Sequence, residues 1–407
     1  MKKIQKHRKP FLVAALLAAL ACGPQVVFRT GDVIIHNDEP VIETPANSLQ
    51  YGYRGSRYIK KIWPKKEPAV LTAVGDVALN FAIMKELLDY KAKKSGRDNA
   101  MAWPFSRVRE EFTGIAFCNL EAPVTEYPLK AFSDKDEIFY FRSPGGSEEI
   151  LQHAGIDVVS LANNHIKDCG IEGMFDTRDR LLKLGMAPAG IGRDINEALR
   201  PVYVWHRGTR IAIFAFNAVI PKSVWADINT PGTAGGSDEL LCAAVRKVRP
   251  EVDAVVVSIH WGQEVTSDYP VDQPEKEQVA LGRKLIDAGA SCILGHQSHG
   301  LGPVERYGNG IIFYSLGDFV FAGRHSDAHR TGMIVRVALS EKGLESYTII
   351  PVNINPLEVS YSPVILDSKK GDAVINRVLA VRDNRYKDYY TELVAESNKQ
   401  KKKDNID

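Results

Sequence analysis

Ala254-Val255-Val256-Val257-Ser258-Ile259-His260-Trp261-Gly262 is a β-branched apolar run that ends abruptly in an imidazole and a turn. Val and Ile at this density favour a buried strand, and Gly262 lets the backbone turn tightly after it. A histidine leaving such a strand is either a packed, hydrogen-bonded core residue or a metal ligand. Four other stretches repeat the pattern. Gly75-Asp76 follows Ala69 to Val74, and Asn119-Leu120-Glu121 follows Ile115 to Cys118. Asn163-Asn164-His165, with Asp168, follows Val158 to Ala162, and Gly295-His296, with His299, follows Ser291 to Leu294. Oxygen and imidazole groups delivered from successive strand ends can converge on one or two divalent cations.

Between these runs the sequence reads as helices. Asn80 to Lys91 gathers Phe81, Met84, Leu87 and Leu88 on one face. Glu172 to Leu184, Asp238 to Val248 behind an N-capping Ser237, and Gln273 to Ala288 follow the same period. Alternating strand and helix predicts an α/β layered domain. Arg210 to Phe216 and Ile311 to Leu316 follow turns without an intervening helix, so the sheets are expected to be mixed. Met333 to Leu339 and Glu345 to Pro351 alternate and predict a hairpin around Glu341-Lys342-Gly343. The chain divides into a signal segment 1–22, a tether and lead-in 23–66, one domain over 67–355, and a helical, charged tail 356–407.

The first segment is an address. Lys2, Lys3, Lys6, Arg8 and Lys9 precede the apolar run Phe11 to Leu20, which is too short to span a bilayer comfortably and suits a signal peptide. Ala19-Leu20-Ala21-Cys22 resembles a bacterial lipobox, which predicts lipidation of Cys22 and attachment to the outer face of a membrane. A cleaved signal without lipid and an uncleaved anchor are the other readings. All three place the bulk of the protein outside the cytoplasm, in the cell envelope. The other four cysteines, Cys118, Cys169, Cys242 and Cys292, allow three pairings in an oxidising compartment. Their spacing matches no disulfide framework, and Cys118 and Cys292 lie in apolar runs, so buried free thiols are expected. The net charge is +2, the basic excess is concentrated at the two ends in Lys2 to Lys9 and Lys399 to Lys403, and no aromatic-basic pattern points to a nucleic-acid partner.

Taken in order, Ala73-Val74-Gly75-Asp76-Val77, Asn119-Leu120-Glu121-Ala122-Pro123-Val124-Thr125, Leu161-Ala162-Asn163-Asn164-His165 with Asp168 and Gly170, His260-Trp261-Gly262-Gln263-Glu264, Gly295-His296 with His299, and Tyr314-Ser315-Leu316-Gly317-Asp318-Phe319 resemble the CapA family. These are capsule and poly-γ-glutamate synthesis proteins related to calcineurin-like metallophosphoesterases. The resemblance implies a metallophosphatase-like fold of four layers, with two mixed β-sheets packed as a sandwich and flanked by helices. It further implies a divalent metal (manganese, iron or zinc, one or two ions) held by Asp76, Glu121, Asn164, His260, His296 and His299.

The resemblance also assigns the remaining roles. His165 would donate a proton, steered by Asp168, and Glu264 would act as ligand, general base, partner for a cationic group or brace for His260. Carboxylates and imidazoles of this kind suit such cations. Three positions depart from the pattern. Ala78 stands where the phosphoesterases carry a histidine. Gln297 and Ser298 break the usual Gly-His-His-Pro-His. Asp318 replaces an asparagine and either faces the site or turns the chain. The implied activity is hydrolysis of a phosphoester or an amide-type bond in an anionic cell-surface polymer. The rival is a non-catalytic subunit that binds the polymer beside other synthesis and export subunits, which the missing histidine at Ala78 favours. No Gly-x-Ser-x-Gly elbow, phosphate-binding glycine loop or His-Glu-x-x-His is present.

Overall fold

The computed structural model describes residues 66–79, 82–130, 140–219, 221–264, 274–321 and 330–379, together with the backbone of four short strands at 26–28, 33–36, 42–43 and 50–51. The signal segment with Cys22, His325 and His329, and the part of the tail from 380 on lie outside the described residues.

Two mixed sheets face one another. The first runs, edge to edge, through Val26–Phe28, Val33–His36, Val202–His206, Thr209–Asn217, Ala254–His260, Cys292–His296, Gly310–Phe313 and Val304–Tyr307. The second runs through Val364–Ile365, Gly343–Asn353, Thr331–Ser340, Ala69–Ala78, Ile115–Leu120, Val158–Ser160 and Ala187–Ala189, with Asp318–Phe321 paired beside Ala69–Ala78. Both are mixed: in the first, Thr209–Asn217, Ala254–His260 and Cys292–His296 are parallel while Val202–His206 is antiparallel to its neighbours, and in the second the strands from Ala69–Ala78 to Ala187–Ala189 are parallel and those on the other side antiparallel. The hairpin expected around Glu341 is present, as Thr331–Ser340 against Gly343–Asn353. Part of the segment read as a tether adds two edge strands to the first sheet.

The period of two along each strand sorts side chains into layers. Ala69, Leu71, Ala73, Ile115 and Phe117 of the second sheet meet Ile211, Ile213, Ala254, Val256, Cys292 and Leu294 of the first in the inter-sheet core. The alternate positions face helices. Cys118 and Val159 pack with Ile150, Met174 and Leu181, and Val255, Val257 and Ile259 pack with Leu241, Val245, Val279 and Leu285. The result is four layers, helix, sheet, sheet, helix. Helices start where capping groups satisfy their orphan amides. Ser237 accepts from Leu240 N at 3.3 Å, and Glu275 with Gln278 forms a capping box ahead of Lys276–Asp287. Among the described residues no helix is long and apolar enough to cross a membrane.

One strand departs from the sequence reading. Ala69–Ala78 does not end at Val74; it continues through Gly75-Asp76, with a register shift against Ile115–Leu120 between Ala73 and Asp76. Gly75 is required there, because a Cβ would sit 1.8 Å from the carbonyl oxygen of Gly317. Ala73 faces the inter-sheet core, whereas Val74 and Val77 face the helices. The extra residue of the bulge therefore returns Asp76, rather than Gly75, to the inner face.

Candidate metal centre

The inner-face positions at one end of the sandwich carry the chemistry. His260 and His296 are the last residues of adjacent parallel strands and stand directly opposite each other in register. Glu121 follows the last residue of Ile115–Leu120 and is anchored by its N–H donating to Val77 O at 2.9 Å. Asp76 enters through the bulge. The Asp76 carboxylate is buried: Oδ1 accepts from Asn119 Nδ2 at 2.8 Å, and Oδ2 accepts from the backbone N–H of Gln297 at 3.1 Å. Burial alone would raise its pKa. The charge and closeness of His296, with His260 and His299 beyond it, outweigh that and hold the carboxyl well below the usual carboxylate range.

His296 is the informative neighbour. Its Nδ1 lies 2.8 Å from Asp76 Oδ1 in a buried ion-pair contact, and its Nε2 is buried without a hydrogen-bond partner. A buried imidazole nitrogen without a partner is costly unless a cation takes it up. His260 places Nε2 3.1 Å from Asn164 Oδ1 and 3.6 Å from Glu121 Oε1. Burial pushes its pKa down to about 3, against the pull of Asp76 and with the help of the imidazoles of His296, His299 and His165. A neutral imidazole is the form that binds metal. His299 lies among several carboxylates. Its Nδ1 is 2.8 Å from Asp318 Oδ1, and its Nε2 is 3.6 Å from Glu121 Oε1 and 3.8 Å from Glu264 Oε1. The six expected ligand residues are thus brought together, and Glu264, half-buried, stands at their margin.

Asp318 was not among the expected ligands and belongs in the set. Asp76, His299 and Asp318 each offer a ligand atom, all within 4.8 Å of one another, and Asp318 pairs with Asp76 in the sheet. The signal in the sequence was a carboxylate heading the apolar strand Asp318-Phe319-Val320-Phe321. The position of the missing histidine, Ala78, is filled differently. It packs with Ala122, Phe321 and Phe141 as a small apolar cluster, and Phe321 stands edge-on to the His299 ring with centroids 5.0 Å apart.

The loop carrying the last ligand is strained. Gln297 and His299 have φ of 93° and 62°, left-handed values that cost non-glycine residues about 1–3 kcal/mol each. The Gln297 bond to Asp76 and a bond from Asp318 N to His299 O hold the loop there. Trp261 is buried. Its indole N–H donates to Tyr314 O at 2.9 Å, and its ring stacks on Tyr314, pinning the strand end behind His260.

Beside the ligands, His165 Nδ1 lies 2.8 Å from Asp168 Oδ2, which also accepts from Phe141 N at 2.7 Å. The Phe141 ring stacks on His165 with centroids 4.0 Å apart. Asn163 bridges: Nδ2 donates to Leu120 O, and Oδ1 accepts from His165 N. Thr125 donates to Asp176 and accepts from Tyr127 N, so it fixes its own loop. The four described cysteines are free and buried. Burial raises the thiol pKa of Cys118 and Cys292, and that of Cys169 to about 12.

A family model described as "Bacterial capsule synthesis protein PGA_cap" matches residues 70–323. The "PGA biosynthesis protein CapA" of Bacillus subtilis is 30% identical over 308 residues, covering 75% of this chain and 76% of that protein. The "Capsule biosynthesis protein CapA" of Bacillus anthracis is 28% identical over 306 residues, covering 74% and 70%. Among solved structures, one described as a novel phosphatase from Mycoplasma pneumoniae superimposes with a TM-score of 0.42 at 11% identity, over 71% of this chain and 95% of that one. The NAD nucleotidase of Haemophilus influenzae gives 0.42 at 12% identity, over 82% and 68%. Both structural likenesses are loose; the four-layer description rests on the sheet order and packing above.

Proposed function

The chain belongs to the bacterial capsule synthesis protein family, and from that premise we propose that it is an envelope metal-dependent hydrolase acting on an anionic cell-surface polymer of the poly-γ-glutamate or capsular kind. The observation that carries the reading is the buried convergence of Asp76, His299 and Asp318, whose ligand atoms lie within 4.8 Å of one another, with the His296 Nε2 left without a hydrogen-bond partner. The residues fit a divalent cation of the manganese, iron or zinc class: Asp76, His299 and Asp318 on one side, and Glu121, Asn164 and His260 on the other, with His296 beside Asp76. A bound ion there supplies polarisation of a substrate oxygen and a more acidic water.

The chain's own residues supply the rest. The Asp168 carboxylate holds the His165 ring by Nδ1, so Nε2 is the atom that holds or moves a proton to the leaving group. Phe141 covers the face of that ring and excludes water from it. Glu264, on the solvent side of His299, is placed to orient substrate or accept a proton. The basic N-terminus, the run Phe11 to Leu20 and the lipobox-like Cys22 support attachment to the outer face of a membrane.

Elemental analysis of the purified chain, paired with cleavage of a generic phosphodiester and of poly-γ-glutamate, tests the reading. Stoichiometric metal and turnover, both lost in Asp76→Ala, support it. A metal-free protein whose Asp76→Ala variant still makes polymer in cells sinks it. The apolar cluster of Ala78, Ala122, Phe321 and Phe141 favours a second reading, a non-catalytic polymer-binding subunit of a synthesis and export complex. Metal bound without turnover of either substrate selects that one.

A further inference from the structure

We propose that a cationic face outside the second sheet, built by Lys91, Lys93, Lys94 and Arg107 around Trp103, is a second binding site for the anionic polymer, gripping its carboxylates beside the metal centre. The identity of the polymer rests on the reading above; the site itself does not. Lys91, Lys93 and Lys94 lie in the last turns of the helix Ala82–Ser95, and Trp103 opens the short turn Trp103–Phe105. Nζ of Lys91 stands 3.2 Å from the Trp103 ring centroid, the Arg107 guanidinium stands 5.1 Å from it, and Nζ of Lys94 stands 4.9 Å from the centroid of Tyr90. An aromatic face orders a cation without neutralising it, so these charges are held in place and stay available to an anion. The protein's own carboxylates do not take them. Among the described residues Lys91, Lys93, Lys94 and Arg107 make no ion pair, while Asp89 is taken by Lys85, Glu149 by Arg97 and Glu111 by Arg336. Glu86 and Asp98 lie beside Lys85 and Arg97, and the exposed Arg109 and Glu110 offset one another. In a chain of net charge +2 this is a local surplus.

The face adjoins the metal end of the sandwich. The Trp103 indole donates to Ser360 O at 2.9 Å, in the loop that follows Gly343–Asn353. Asn353 pairs with Thr331, three residues before Ile334, which pairs with Val74. That loop therefore leaves the sheet level with Asp76 and Val77 and not at the opposite end. Gly332 fixes the same level, since a Cβ there would sit 2.4 Å from Asp318 O. Phe105 packs on Phe319 with centroids 5.6 Å apart, and Phe319 adjoins Asp318. The metal centre and the cationic face thus lie on the two sides of one strand, Asp318–Phe321. A chain with a carboxylate on every residue suits cations set about one helical turn apart, as Lys91 and Lys94 are. Single-stranded nucleic acid seeks open aromatic faces, and Lys91 and Arg107 stand over Trp103. A bilayer seeks aliphatic side chains, and from Lys85 to Asn99 no exposed residue is Leu, Ile, Val or Met.

Binding of fluorescently labelled poly-γ-glutamate to the metal-free full chain, followed by anisotropy at low salt, tests the site. One variant combines Lys93→Glu, Lys94→Glu and Arg107→Glu. A second keeps the charge with Lys93→Arg, Lys94→Arg and Arg107→Lys. A third changes net charge equally on other surfaces, with Arg246→Glu, Lys247→Glu and Lys342→Glu. All six positions are exposed, so each variant is expected to fold. Affinity is expected to fall at least about tenfold in the first, with a shallower salt dependence, and to stay within about twofold in the other two. Equal affinity in the first, an equal loss in the third, or no binding by the unsubstituted chain overturns the site. Tighter binding of polyphosphate, single-stranded DNA or phosphatidylglycerol vesicles at this face overturns the choice of partner. The first variant touches no metal ligand and is expected to keep metal content and turnover of the generic phosphodiester. A chain without metal or turnover that still loses polymer on that change upholds this inference and sinks the hydrolase reading. Metal and turnover with unchanged polymer binding do the reverse.

Discussion

The two sheets deliver their ligands by different means. His260 and His296 reach the inner face by unbroken alternation along strands that are in register. Asp76 reaches it only because a bulge at Gly75 shifts the phase by one residue. The first arrangement is stable wherever the strands pair. The second depends on one backbone contact, that of Gly75 with Gly317. The bulged side is the place where the centre is most easily broken.

Gly75→Ala is the most damaging single change expected. Its methyl would meet a backbone oxygen at 1.8 Å, and neither partner is a flexible side chain. A loss of about 3 kcal/mol or more is expected in denaturant melts, together with loss of bound metal. The matching change on the regular side, His260→Ala, is expected to weaken metal binding by more than about a hundredfold while costing less stability than Gly75→Ala. Titration of metal into each variant checks the contrast, and equal stability losses would remove it.

Acid provides a third test. The His260 pKa is depressed in the fold from 6.5 to about 3, so the unfolded chain takes up this proton first as pH falls. Its contribution to stability is complete above pH 6.5 and is lost as pH drops from there toward 3. The limiting slope is about 1.4 kcal/mol per pH unit for one proton. Melts of metal-free protein across that range should show it, and His260→Asn should flatten it. An unchanged acid limb in the variant would assign the loss to other groups. The smallest effect concerns the strained loop. Gln297→Gly relieves a φ of 93° and is expected to leave stability unchanged or raise it by up to about 1 kcal/mol. A clear loss would mean that the buried Gln297 side chain matters more than its backbone.

These contrasts also explain what could be read from the letters. Val255 to His260 alternates cleanly between helix layer and core, so both the strand and the inward aim of the imidazole followed from composition and period. Gly75-Asp76 has the look of a turn pair. Its role as the middle of a strand depends on a contact with Gly317, more than two hundred residues away, which no local pattern carries. Asp318 was ambiguous for a similar reason: its pairing with Asp76 joins distant strands. The apolar filling around Ala78 was signalled by the absent histidine but not by its neighbours, since Phe321 and Phe141 come from other parts of the chain.

The facing of His260 and His296 has a consequence for how the protein matures. Side chains alternate with a period of two, so a slip of one residue between these strands would turn one imidazole into the helix layer and leave the other alone. Only the correctly paired chain can grip a cation with both. Cation binding would then favour that pairing over its neighbours, and ion supply would help determine the yield of folded protein as well as its activity.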